Sequence, residues 1–305
     1  MKTSTNYQVY LTIVISYYNL RFLEQTLNSL ASQTDKDFKV FIGNDCSPEN
    51  PQNIIEKFSD KISIKYVEFD KNLGSLDLTK QWERCLKYVE SPYFIILGDD
   101  DLLSNNTIYE FNKFQKNNTE IFNVYRLGIR RIDEVGNFIS KEIVYKDYES
   151  STDFIVKRAK NEVISSLGEY IFATEKYKQV GVASYPKAFY SDNMMVLQIS
   201  DFGVIKNIKN AFSIIRVSQY SFSGNFSNDI YIHRAASLFF FDLIKKYKLH
   251  FKSNNLKYFL PYIIYGKKHA IINISWFDIL LMVIKYNGYI IIFDLLFMKF
   301  KHFGK

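Results

Sequence analysis

Between residues 9 and 100, short apolar runs alternate with longer stretches in which apolar residues recur every three or four positions. The short runs, Val9 to Ser16, Phe38 to Gly43, Ile62 to Phe69 and Tyr93 to Leu97, predict strands. Phe22 to Ser32, Asn53 to Phe58 and Leu76 to Val89 lie between them and predict helices. Alternation at this spacing predicts consecutive βαβ units on a mostly parallel sheet. Beyond residue 100 the pattern loosens. It predicts a helix opening near Asn105, a strand over Ile121 to Ile132, a hairpin at Glu134-Val135-Gly136-Asn137, a helix over Asp153 to Lys160 and another over Tyr231 to Tyr247. No internal repeat interrupts this order.

In open parallel sheets, ligands bind beyond the carboxyl ends of the strands. The first, second and fourth predicted strands run out into Ser16-Tyr17-Tyr18-Asn19, Asn44-Asp45-Cys46-Ser47 and Asp99-Asp100-Asp101, so three polar clusters converge on one edge. The aspartate run is the most informative. Three adjacent carboxylates repel one another and raise each other's pKa unless a cation sits among them. A hard divalent ion with oxygen ligands suits such a site. The alternative is a solvated turn that caps the helix near Asn105.

Taken in order, these segments resemble the family 2 glycosyltransferases of the GT-A fold. Thr12-Ile13-Val14-Ile15-Ser16-Tyr17-Tyr18-Asn19 looks like the family's opening strand and Tyr-Asn turn, with Ser16 where Pro is common. Phe22 to Leu30 followed by Gln33-Thr34 is similar to its next helix. Asn44-Asp45-Cys46-Ser47 matches the Asp-Asp-Gly-Ser loop, in which the aspartate kept as Asp45 recognises the nucleobase. Asn72-Leu73-Gly74 matches the segment before the third helix, and Leu97-Gly98-Asp99-Asp100-Asp101 matches the metal and ribose motif.

The resemblance implies a sugar-nucleotide site. Ser16, Tyr18, Asn19, Asp45, Asn72, Lys80, Asp99 and Asp100 are its expected nucleotide-sugar contacts, and Asp99 and Asp101 its expected ligands for Mn²⁺ or Mg²⁺. Asp101 is the first choice for the metal. Asp99 takes either the same ion or the ribose hydroxyls, because alternate residues on an extended strand face one side, and Asp100 aligns equally well with the family's paired carboxylates. Two positions depart from the family: Gly98 stands where many relatives carry Asp, and Thr79-Lys80 where Arg-Asn is common. Lys80 is therefore read either as the phosphate cation or as an exposed helix lysine. An inverting transfer also needs a general base. Tyr190-Ser191-Asp192-Asn193-Met194-Met195-Val196-Leu197 looks like the family's base-bearing helix start, with Ser191 in place of Glu, which assigns that role to Asp192; the plainer reading is a helix cap. Ile214-Ile215-Arg216-Val217-Ser218 resembles the strand closing the acceptor side, where Arg216 meets a phosphate or pairs on the surface.

Composition narrows the setting. At 305 residues and 47% hydrophobic, the chain can bury one sizeable core and an extension. No cleavable targeting signal is expected, since Val9 to Ile15 is short and already assigned to a strand. Cys46 and Cys85 offer neither a disulfide framework nor zinc spacing, which suits a reducing cytoplasm, and Cys46 is expected as a small buried residue. His233, His250, His269 and His302 have no metal spacing. The net charge of +7 accumulates towards the carboxyl terminus, where lysines interleave with aromatics. No nucleic-acid-binding motif accompanies them, so nucleic acid is not an expected partner. Ile271 to Phe300 is strongly apolar, but Asp278, Lys285, Asp294 and Lys299 keep every uncharged run below the roughly 18 residues of a spanning helix. This stretch is expected either to lie on a membrane or to cover the catalytic domain's flank.

The sequence therefore predicts an α/β protein with a GT-A mixed sheet flanked by helices over residues 1–225 and a basic, aromatic helical appendage over 226–305. The implied activity is an inverting, metal-dependent transfer from a nucleotide-diphospho-sugar, a UDP-sugar favoured, to a glycan or lipid-linked acceptor in surface polysaccharide synthesis. The implied location is the cytoplasm or the inner face of its membrane. A sugar nucleotidyltransferase is the alternative enzyme, but it would want a Gly-rich basic loop where Tyr17-Tyr18-Asn19-Leu20 stands. The non-enzymatic alternative is a sugar-nucleotide-binding scaffold.

Overall fold

The computed structural model describes residues 10–219 and 229–287. In chain order its elements are β1 (Leu11–Tyr17), α1 (Leu23–Ala31), β2 (Phe38–Asn44), α2 (Gln52–Glu56), β3 (Ile64–Glu68), α3 (Leu78–Leu86), β4 (Tyr93–Leu97), β5 (Leu102–Leu103), α4 (Thr107–Asn117), β6 (Val124–Ile132), β7 (Tyr148–Ser150), α5 (Ser151–Ala159), β8 (Tyr170–Ala173), α6 (Thr174–Val180), α7 (Ser191–Ile199), β9 (Val204–Arg216), α8 (Asp229–Lys246), α9 (Leu260–Lys268) and α10 (Trp276–Lys285). The seven elements predicted up to Leu97 all form, with no end moved by more than three residues. The predicted hairpin closes through two isolated antiparallel bridges, Ile132 to Phe138 and Ile129 to Ile143.

One mixed sheet runs in the order β3-β2-β1-β4-β8-β6-β9-β5, with β7 against β9. β1 to β4 form its parallel half, and β8 enters antiparallel beside β4. The central strands β1 and β4 are apolar along almost their whole length and buried except at half-buried Ser16, as a parallel strand covered on both faces requires. α1 buries Leu23, Thr26, Leu27 and Leu30, the three-and-four spacing of a helix laid on a sheet. In the register of this half, Tyr17 lies opposite Asn44 and Ile15 opposite Leu97, so the polar segments after β1, β2 and β4 emerge side by side.

The chain divides into two compact units: residues 1–151, 165–184 and 195–226, and residues 152–164, 185–194 and 227–305. The first contains the sheet. The second is organised by aromatic packing: Phe240 of α8 stacks on Tyr262 of α9 at 4.3 Å and meets Phe259 at 5.0 Å, while Tyr190 lies on Phe239 at 5.1 Å. Of the apolar stretch Ile271 to Phe300, the described part contains α10, and residues from 288 onward lie outside the described residues. Among the described residues no helix is long and apolar enough to cross a membrane.

Candidate functional site at the sheet edge

The aspartate run does not continue β4. The strand stops at Leu97 and the chain turns, with Asp101 N donating to Gly98 O at 3.4 Å, so the alternation of sides expected for Asp99 and Asp101 does not govern them. Each is tied to a different element instead. Asp99 Oδ2 accepts the backbone N–H groups of Tyr18 at 2.8 Å and Asn19 at 2.7 Å, which fastens the loop after β1 to the end of β4. Asp101 Oδ1 accepts the backbone N–H of Arg216, the last residue of β9, at 2.9 Å. Neither bond caps α4, whose cap residue Asn106 makes no side-chain cap bond either. Gly98 is required by this crowding: a Cβ there would stand 2.7 Å from Asp100 Oδ1 and 3.3 Å from Asp101 Oδ2.

Arg216 is the partner the sequence did not place. Expected at a phosphate or on the surface, it is 1% exposed, and its side-chain donors go to main-chain and amide oxygens. Nε reaches Asp100 O at 3.0 Å, Nη1 the carbonyls of Asp133 and Glu134 at 3.0 Å each, and Nη2 Gln25 Oε1 at 2.6 Å, with the guanidinium over the Phe22 ring at 4.3 Å. Its charge is therefore not neutralised by a direct carboxylate pair and sits beside the aspartates. Even so, burial and mutual repulsion dominate them. Asp99 is pushed up to about 7 by burial and then by Asp100, against the pull of the Tyr18 and Asn19 amides. Asp101 is raised well above the carboxylate range by burial and its two neighbours, and Asp100 is raised by burial. The protein's own residues thus do not favour the charged form of these carboxylates, which a cation among them would.

A second cluster forms around Asp45, which is buried at the end of β2. Its Oδ1 accepts Leu73 N at 2.8 Å and its Oδ2 accepts Gly74 N at 2.8 Å. Gly74 is needed for that approach, because a Cβ would lie 2.5 Å from Asp45 Oδ2. Arg84 completes the cluster: its Nη2 pairs with Asp45 Oδ1 and donates to Lys71 O at 2.8 Å, and the guanidinium stacks on Phe69 at 4.0 Å. Sequence reasoning missed Arg84, since nothing in its own neighbourhood separates it from other polar residues of α3.

The remaining predicted residues divide by position. Tyr18 and Asn19 lie at the edge beside Asp99; the Tyr18 carbonyl accepts Ser47 Oγ at 2.7 Å, and Asn19 Oδ1 accepts Arg21 N at 3.0 Å. Ser16 is the half-buried penultimate residue of β1. Asn72 Oδ1 accepts Ser75 N at 2.8 Å and shapes the loop that brings Leu73 and Gly74 to Asp45. Lys80 is half-exposed and paired with Glu83 at 2.8 Å. Cys46 is exposed, against the expectation of burial, because φ of 55° turns it out of the loop in the left-handed conformation glycine ordinarily takes.

Asp192 belongs to the second unit, at the second position of α7. Burial raises its pKa, opposed by the Arg158 charge and by backbone N–H groups at the helix start. Lys187, Ala188 and Tyr190, just before it, all take positive φ, a costly conformation for side chains of this size. Among the described residues no three Asp, Glu, His or Cys side chains are gathered as a ready-made metal cage. A Mg²⁺-type ion does not need one, because it is commonly held by one or two carboxylates and substrate phosphates. The carboxyl groups of Asp99 and Asp101 fit that mode in number and type.

The family model described as glycosyl transferase family 2 matches residues 12–173. The teichoic acid poly(glycerol phosphate) polymerase of Staphylococcus epidermidis is 33% identical over 115 residues, 36% of this chain and 15% of its own length. The poly(ribitol-phosphate) beta-N-acetylglucosaminyltransferase TarS of Staphylococcus aureus is 28% identical over 104 residues, 33% of this chain and 18% of its own length. The matched stretch spans less than a fifth of either relative. The crystal structure of S. aureus TarS 1-349 in complex with UDP-GlcNAc superposes with a TM-score of 0.64 at 17% identity, over 83% of this chain and 72% of that one, a likeness of fold that identifies the sheet as GT-A. With the family match running from β1 through β8, across more than half of the chain, this protein belongs to glycosyl transferase family 2.

Proposed function

We propose that the chain is an inverting transferase that moves a sugar from a nucleoside-diphosphate donor, a UDP-sugar favoured, to a hydroxyl of a glycan or lipid-linked glycan in cell-surface polysaccharide synthesis. The observation that carries this reading is the edge where Asp45 and Asp99 to Asp101 emerge from neighbouring parallel strands, on a fold shared with a structure bound to UDP-GlcNAc. The names of the two relatives, a teichoic acid poly(glycerol phosphate) polymerase and a poly(ribitol-phosphate) beta-N-acetylglucosaminyltransferase, support the surface-polymer setting. A nucleotide-sugar donor makes the cytoplasm the expected place of work.

In this reading Asp45, steadied by Arg84, faces the nucleobase, with Ser16, Tyr18, Asn19 and Asn72 forming the surrounding wall. Asp100 or Asp99 meets the ribose, and Lys80 the diphosphate. Asp101 and Asp99 hold Mn²⁺ or Mg²⁺, which when bound stabilises charge on the departing diphosphate as a Lewis acid. Asp192 takes the acceptor hydroxyl's proton as that oxygen bonds to the anomeric carbon, and the electrons of the broken glycosyl–phosphate bond leave with the nucleoside diphosphate. A carboxylate whose pKa is raised is the better base for this step.

The test is calorimetric titration of the protein with UDP and GDP, each with Mn²⁺ and with EDTA, beside Asp101→Ala. UDP binding that requires both the metal and Asp101 is the expected result. Failure of both nucleotides under every condition would leave a scaffold as the better reading.

A further inference from the structure

α10 is apolar on two sides. Ile279 and Val283 are buried, as the inner stripe of a packed helix should be. Yet Trp276, Phe277, Leu280, Leu281 and Ile284 are 56%, 67%, 53%, 48% and 63% exposed. At about 100° per residue these five cover an arc of about 140°, bordered on one side by the buried stripe and on the other by Asp278 and Lys285. No other nine-residue stretch of the described residues exposes more than three large apolar side chains. Isolated exposed apolar residues need no explanation, but a contiguous face of this kind marks a binding surface.

Charge identifies what it binds. Residues 229–305 carry twelve Lys and Arg against four Asp and Glu, while the whole chain is +7, so the preceding 228 residues are close to neutral. Lys245, Lys246, Lys248, Lys252, Lys268 and Lys285 are all exposed in this one unit. A second copy docking face to face would bring the same basic surplus against itself, and nucleic acid would not call for an apolar helix face. An anionic bilayer satisfies both features. Ten residues of helix are about 15 Å long, half the roughly 30 Å hydrocarbon core, so α10 is suited to lie in the interface and not to cross it. The indole of Trp276 suits the headgroup level.

We infer that α10 docks the second unit on an anionic lipid bilayer, with Trp276, Phe277, Leu280, Leu281 and Ile284 entering the headgroup boundary and the lysines of the unit meeting lipid phosphates. This goes beyond the transfer reading and does not depend on it.

The experiment is co-sedimentation of the full chain, without nucleotide, with vesicles of equal parts phosphatidylglycerol and phosphatidylcholine, and with phosphatidylcholine alone. The wild type partitions onto the anionic vesicles and only weakly onto the neutral ones. Phe277→Glu with Leu281→Glu lowers that partition about 100-fold, and Lys285→Ser lowers it about fivefold. Both variants keep the wild-type circular dichroism and unfolding midpoint, because the replaced side chains face solvent. Unchanged partition in the folded double variant, absence of vesicle binding by the wild type, or conversion of a wild-type dimer to monomer by the double variant would each overturn the proposal. Since no nucleotide is present, such a failure leaves the transferase reading untouched.

Discussion

The backbone N–H of Arg216 is bonded to Oδ1 of Asp101 at 2.9 Å, across 115 positions of sequence, and the same residue's Nε holds the carbonyl of Asp100 at 3.0 Å. The last residue of β9 thus fixes two of the three aspartates at the end of β4. The remaining donors bind the Asp133–Glu134 turn and Gln25, so one buried guanidinium ties three separate segments to the end of β9.

Replacing Arg216 should therefore act on stability before it acts on chemistry. Arg216→Met removes the donor to three part-buried carbonyls, of Asp100, Asp133 and Glu134, at roughly 1 kcal/mol each, and an overall loss of about 3 kcal/mol is expected. Arg216→Lys keeps the charge but loses the fork, and should recover only part of it. Urea unfolding monitored by tryptophan fluorescence measures both, and equal stability of all three proteins would contradict the positioning role.

Arg84→Met removes the cation that pairs with buried Asp45 while the Leu73 and Gly74 amides remain. Under the proposed function, UDP affinity should fall about tenfold, the cost of one charge-assisted hydrogen bond. Titration calorimetry at constant Mn²⁺ reads this directly. A wild-type dissociation constant in the variant would separate Asp45 from the nucleotide.

Under the proposed function, Asp192→Asn keeps the shape of the α7 start and removes the general base. Turnover should fall by about 10²–10⁴ with nucleotide affinity unchanged. Single-turnover transfer assays beside UDP titration separate the two effects, and full turnover in the variant would return Asp192 to the role of helix cap.

A pH dependence of stability is expected from Glu169. It is fully buried just ahead of β8, and its Oε2 accepts the Tyr145 hydroxyl at 3.0 Å; burial outweighs the nearby Arg126 charge and pushes its pKa up to about 7 from 4.5. A carboxyl raised on folding favours the native state while protonated. Its contribution is complete below about pH 4.5 and is lost as pH rises through 7, a swing of about 3 kcal/mol. Glu169→Gln should flatten that part of the profile, so the difference in unfolding free energy between wild type and variant grows in the variant's favour from pH 5 to pH 8. A pH-independent difference would show that Glu169 stays ionised throughout.

Periodicity was sufficient for the first half of the fold. The helices α1 and α3 and the strands β1, β2 and β4 stand where apolar spacing predicted them, because a covered parallel strand and a helix laid on it each impose their own local pattern. The edge on which the polar segments meet followed from the same pattern, since strand direction decides which segments emerge together. Motif resemblance then pointed to Asp45, Asp99 and Asp101 before any contact was known.

Local pattern could not decide which partners those aspartates take. Arg84 reaches Asp45 from 39 residues away and Arg216 reaches Asp101 from 115; nothing local marks Arg84, and the motif resemblance that marks Arg216 does not give its partners. The turn that removes Asp99 and Asp101 from strand alternation, the outward rotation of Cys46 and the apolar face of α10 left open to solvent likewise depend on packing between distant segments. Spacing along the chain encodes which face of an element is apolar; what meets that face, and which buried charge is balanced, is settled when segments far apart in the chain compete for the same space and the same hydrogen bonds.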